Sequence, residues 1–116
     1  PVVTVELPAP GELDAPLQVR VLDLSGGGVA LSVQDDGQSR FASRRRLEGC
    51  QLRLPDTGPL AVDLEVCHLS QHEPLAGGTL RAGCRFLSLS PHAEKQILQY
   101  IFRVERQRNA RERRAV

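Results

Sequence analysis

Methionine and tryptophan are absent from this 116-residue chain, and its aromatic residues are one tyrosine and three phenylalanines. So few rings leave little with which to stack successive bases, as single-strand nucleic-acid binders do. The formal net charge is +1, so the broad basic field of such proteins is missing too. No nucleic-acid partner is therefore expected, and an oligonucleotide-binding barrel, which would need surface aromatics for base stacking, is the weaker alternative. No apolar run reaches membrane-spanning length and no signal peptide is visible, so no membrane span is expected. The missing initiator methionine marks the chain as the expected fragment of a longer protein. Histidines are three and scattered, none of them near Ser25 in sequence, and no carboxylates pair in a recognisable site. No catalytic residue is nominated, and the chain reads as a non-enzyme.

Cysteines are few and odd in number. Cys50, Cys67 and Cys84 all lie in apolar strand patterns, so they are expected to be reduced and buried, as in a cytoplasmic protein. Apolar residues make up 41% of the chain, enough for one core in one domain.

The residues that are present alternate. Val2–Leu7 is rich in β-branched residues and stops at Pro8, which predicts a first strand. Leu17–Leu24 and Val29–Val33 follow, separated by Gly26-Gly27-Gly28. Gln34–Ser39 is polar, with an Asp36-Gly37 turn signal, and Arg40–Leu47 fits either a loop or one helical turn. Cys50, Leu52 and Leu54 alternate with polar residues up to the Pro55–Gly58 turn. Leu60–Leu69 alternates again, Gln71–Gly78 reads as a turn, and Leu80, Ala82, Cys84 and Phe86 form a sixth strand. The period then changes from two to about 3.6. Ser90 suits an N-cap and Pro91 the first helical position. Ala93, Ile97, Tyr100, Ile101 and Val104 make one apolar stripe. The pattern predicts a mainly β fold: a six-stranded antiparallel barrel over about residues 1–89, closed by a C-terminal helix over about 91–112.

One stretch carries chemistry. Asp23 and Ser25 lie two residues apart, so extended backbone would aim both at one face. Gly26, Gly27 and Gly28 follow, where the chain turns tightly or lets something approach. A carboxylate there can accept the paired donors of guanine's Watson–Crick edge, and a serine hydroxyl can add another bond to base or phosphate. An ordinary hairpin, with Asp and Ser bonding the turn and glycines at positive φ, fits the same residues.

The order of elements resembles the PilZ domains. The carrying stretches are Asp23-Leu-Ser-Gly-Gly-Gly28, Val29-Ala-Leu-Ser-Val33, Leu47-Glu-Gly-Cys-Gln-Leu-Arg-Leu54, Arg81-Ala-Gly-Cys-Arg-Phe86 and the helical Ile97-Leu-Gln-Tyr-Ile101. The Gly-Cys-Arg-Phe strand, followed by Ser-Leu-Ser-Pro and a helix, is similar to the PilZ half of flagellar brake proteins. The resemblance covers nearly the whole chain. It implies a cytoplasmic receptor for cyclic di-GMP, acting at the flagellar basal body, with the ligand reorienting a preceding N-terminal domain against motor or switch proteins. Its Asp/Asn-x-Ser-x-x-Gly motif maps onto Asp23, Ser25 and Gly28, with Gly26 and Gly27 between. Its second motif, Arg-x-x-x-Arg, stands before the first strand, hence upstream of Pro1. The ligand is the nucleotide alone, with no cofactor and no metal. PilZ-type barrels that lack the arginines and only bind protein are the alternative.

Other residues compete for roles. Arg20 precedes Asp23 by three and is an accessory candidate for phosphate contact. Arg40/Arg44 and Arg81/Arg85 repeat the Arg-x-x-x-Arg spacing downstream of Asp23, and the second pair is assigned to the solvent face of a strand. Cys67-His68-x-x-x-His72 has metal-like spacing, but four residues of strand span about 13 Å, too far for one ion. The six arginines from Arg103 to Arg114 fit an exposed helix end, where cations suit the C-terminus, or a partner surface.

Overall fold

The computed structural model describes residues 2–9, 15–34, 41–71 and 79–114. The Asp36-Gly37 turn, Arg40, His72 and the 72–78 stretch lie outside the described residues.

Six strands and one helix follow in order: β1 (Thr4–Leu7), β2 (Leu17–Leu24), β3 (Gly28–Gln34), β4 (Arg46–Arg53), β5 (Leu60–Gln71), β6 (Thr79–Leu87) and α1 (Pro91–Arg114). All paired strands are antiparallel. They close into a barrel in the order β1-β2-β3-β6-β5-β4. Closure leaves no open sheet edge. The expected six-stranded barrel and its helix are both present.

Alternation dictates what is inside. Leu60, Val62, Leu64 and Val66 are buried along β5, as are Cys50, Leu52 and Leu54 on and just beyond β4. They join Val5, Leu7, Leu31, Val33 and Phe41 in one core cluster. The helix start follows its sequence signals. Ser90 Oγ accepts a bond from the Ala93 amide at 3.0 Å, and Glu94 N–H donates to the Ser90 carbonyl at 2.9 Å. Ala93 and Ile97 then bury fully against the barrel, with Tyr100 and Ile101 half-buried beside them. Burying the Ile97 side chain alone contributes about 1.5–3 kcal/mol.

Boundaries differ from the expectations in physically readable ways. β1 begins at Thr4 rather than Val2. The ambiguous basic stretch resolves into a turn and a strand start. Arg44 takes φ 68°, its amide and that of Val66 tie residues 44–45 to β5, and β4 begins at Arg46. The helix runs to Arg114, with Glu105–Arg111 exposed.

Three register shifts break the alternation, in β2 between Val21 and Asp23, in β4 between Leu47 and Cys50, and in β5 between Val66 and His68. The third overturns one expectation. Cys67 is the extra residue there and is exposed, whereas Cys50 and Cys84 are buried. A bulged residue falls out of the in–out alternation.

Candidate functional site

Period two predicts that Asp23 shares a face with Val19 and Val21, because all three are odd-numbered along β2. Val19 is buried, so an unbroken strand would turn the Asp23 carboxylate into the core. The bulge prevents this. Val21 pairs with Leu31, but Asp23 pairs with Ala30, so Leu22 is the unpaired residue. One extra residue flips every later side chain. The Asp23 side chain is 72% exposed as a result.

The register then lays out an outer surface in three rows across β2, β3, β6 and β5. The middle row is Asp23, Ala30, Gly83, His68. The row on one side is Arg20, Ser32, Arg81, Ser70. On the other side Gly28, Arg85 and Glu65 are partners. The centre of the middle row carries a methyl group and a hydrogen, so the surface is a shallow trough with a small-residue floor. Asp23 and His68 stand at its two ends. The hollow has a volume of about 330 Å³ and is lined by Asp23, Ser25, Gly28, Ala30, His68, Arg81 and Gly83 among others. A Cβ placed on Gly83 would lie 2.9 Å from the His68 ring, so the imidazole lies close against that glycine.

The turn that follows β2 is a closed hairpin end. Ser25 N–H donates to the Gly28 carbonyl at 2.9 Å, and Gly28 N–H donates to Ser25 Oγ at 3.2 Å. The glycines do not serve by positive φ; the described glycine in that region is Gly49, at φ 70°. Gly28 serves by proximity. A Cβ there would sit 2.1 Å from the Cys84 carbonyl oxygen. Gly27 accepts the Phe86 amide at 2.9 Å, which ties the turn to β6. Gly26 faces the helix, with Leu98 3.4 Å from its would-be Cβ. The structure thus brings Asp23, Ser25, Gly27 and Gly28 to one hollow and leaves Gly26 outside it.

Arg20 goes elsewhere. It lines a neighbouring cleft of about 340 Å³ between Val2–Val3, β2 and the helix, together with Asp23, Glu105 and Arg108. Asp23 therefore stands between two hollows. Among the described residues of the Arg-rich end, Arg108 reaches this cleft.

Charges on β6 complete the electrostatics. The Arg85 guanidinium bonds Glu65 at 2.8 Å, with Arg46 at 4.0 Å. That hydrogen bond to Arg85 holds the Glu65 carboxyl below the usual carboxylate range. Arg81, assigned from sequence to plain solvent exposure, instead reaches Asp23 at 3.7 Å. His68 is exposed at the trough's far end, and no group of three or more metal-ligating side chains occurs among the described residues. Ala30 and Gly83 carry no signal in the sequence, and Arg81 and His68 stand out there only for other roles, an arginine pair and a metal-like spacing. Alternation alone places Arg81 and Gly83 outward, but only the register shows which outward residues meet Asp23.

Chemically, the trough offers an exposed carboxylate, a hydroxyl, a guanidinium and a flat floor. That set suits a planar ring with paired donors on its edge.

A family model described as PilZ domain matches residues 2–103. A flagellar brake protein YcgR of Azoarcus sp. (strain BH72) is 42% identical over 110 residues, 94% of this chain and 42% of that protein. One from Xanthomonas campestris pv. campestris (strain B100) is 39% identical over 114 residues, 96% of this chain and 42% of that protein. The chain thus spans about two-fifths of the length of these curated relatives. Among solved structures, the PilZ domain with c-di-GMP of YcgR from Escherichia coli superposes with a TM-score of 0.74 at 24% identity, covering 99% of this chain and 88% of that one. The longer YcgR from Escherichia coli in complex with c-di-GMP gives 0.74 at 22% identity, covering 100% of this chain and 46% of that one. At these identities the superpositions speak for the fold.

Proposed function

The chain belongs to the PilZ domain family, and from that premise we propose that it is the cyclic di-GMP receptor module of a flagellar-brake-type protein. The observation that carries this reading is the bulge in β2, which turns Asp23 out of the core and onto the edge of a trough floored by Ala30 and Gly83. A buried Asp23 could read nothing. Set outward, its carboxylate can accept both N1–H and N2–H of one guanine, with Ser25 and the Gly28 backbone alongside. The relatives named flagellar brake protein, and the YcgR structures solved with c-di-GMP, support the same ligand and role.

The ligand carries two phosphates. Arg20 and Arg108 face the cleft beside Asp23 and are suited to them. An Arg-x-x-x-Arg segment upstream of Pro1 would supply the remaining cations, passing close to this cleft as the chain enters at Val2. Ligand would then tie that segment to the rigid barrel rim and reorient an N-terminal domain relative to the barrel. The output is contact with a flagellar motor or switch protein in the cytoplasm. The module binds and signals; it turns nothing over and needs neither metal nor cofactor.

Calorimetric titration of the protein with its native upstream sequence tests this. The wild type should bind cyclic di-GMP. Asp23→Ala should weaken binding about 100-fold or more, since two charge-assisted bonds are lost. Residues 1–116 alone should bind weakly. Unchanged affinity in Asp23→Ala would remove Asp23 from the site, and a wild type that binds no nucleotide would leave the protein-binding barrel as the reading.

A further inference from the structure

The receptor reading leaves Arg81 without a task. The other outward arginine on the same strand, Arg85, bonds Glu65 at 2.8 Å. Arg81 lies 3.7 Å from the nearer Asp23 oxygen, Oδ2, which is longer than a hydrogen bond. Its side chain is 38% exposed. The two groups stand side by side above the Ala30–Gly83 floor without closing on each other.

Side by side, they spell a pattern: two acceptor oxygens from Asp23, then guanidinium donors from Arg81. Guanine's Watson–Crick edge spells the complement, with donors at N2 and N1 and then an acceptor at O6. When Oδ2 takes N1–H, O6 comes next along the edge, on the Arg81 side. Resting on the assignment of cyclic di-GMP to this trough, we infer that Arg81 donates to guanine O6 and is a specificity-determining residue of the site. The pair also rejects adenine. Adenine presents an acceptor at N1 and a donor at N6, so the carboxylate would face a lone pair and the guanidinium an amine. Opposed like groups of this kind cost more than the loss of the bonds alone.

Arg81 has two competing uses, as a phosphate contact and as a prop for Asp23. Neither depends on the atom at position 6 of the base. A thermodynamic cycle separates them. The chain is wild type or Arg81→Met; the ligand is cyclic di-GMP or its analogue with sulfur in place of both O6 atoms. Sulfur keeps N1–H and N2–H but accepts hydrogen bonds weakly. The protein carries its native upstream sequence, and affinities are read by calorimetry.

The expected result is a loss of about 10-fold or more for the analogue on wild type, a similar loss for cyclic di-GMP on Arg81→Met, and no further loss when both changes are combined. Losses that multiply would overturn the O6 contact. So would a wild type that binds the two ligands equally, a result that does not depend on the variant folding. If Asp23→Ala still abolishes binding while the losses multiply, this inference fails and the receptor reading stands. If the wild type binds neither ligand, both fail.

Discussion

Two carboxylate–arginine pairs sit on the same outer face, and β6 supplies the arginine of each, from Arg81 and Arg85. They differ in closure. Glu65 is 19% exposed, bonded to Arg85 at 2.8 Å and flanked by Arg46. Asp23 is 72% exposed and 3.7 Å from Arg81. The closed pair is already joined by a hydrogen bond, Arg85 Nε to Glu65 Oε1. The open pair keeps its capacity for something else. The difference comes from position rather than residue type. Glu65 and Arg85 are direct register partners, whereas Asp23 pairs with Ala30 and meets an arginine from the next row.

That contrast can be broken most severely at the floor between the pairs. Gly83→Leu should fill the trough and reduce cyclic di-GMP binding about 100-fold or more, while the barrel stays folded. The neighbour it meets is the exposed His68 ring, which can swing aside. Calorimetry alongside a thermal melt checks both halves. Gly28→Ala should act on the fold itself. Its Cβ meets the Cys84 carbonyl at 2.1 Å, a backbone atom that cannot swing. Stability should fall by about 1–3 kcal/mol, read as a lower denaturant midpoint.

The closed pair should respond to pH and not to ligand. Glu65 has its pKa lowered in the folded state, chiefly by the bond to Arg85. Its stabilisation is therefore present above the unfolded value near 4.5 and lost as pH falls through the folded value. Glu65→Gln should flatten that acid limb of the stability curve and leave ligand affinity unchanged. The smallest effect concerns the thiols behind the sheet. Burial pushes Cys84 up to about 12, so a thiol reagent at pH 8 should label Cys67 in the native barrel and reach Cys50 and Cys84 only on unfolding.

Much of this architecture is visible in the order of residues. The two-residue period of Leu60–Val66, the Ser90-Pro91 start and the Ala93–Ile101 stripe each map directly onto the structure, because each is a local rule acting on adjacent residues. The bulges at Leu22 and Cys67 are not visible. A bulge is an extra residue relative to a partner strand, and the partner is not in the local sequence. Asp23 and Ser25 do not meet through simple alternation: Asp23 faces out because alternation breaks before it, and Ser25 belongs to the turn. Arg81 was hidden for a related reason. Its meeting with Asp23 spans 58 positions and depends on three strands being in register.

On the proposed reading the open pair reads ligand and the closed pair does not. Parallel titrations of cyclic di-GMP into Asp23→Ala and Glu65→Ala, each with the native upstream sequence, test this directly. Affinity should fall about 100-fold or more in the first and stay at the wild-type level in the second. Equal losses in both, or retained affinity in Asp23→Ala, would contradict it.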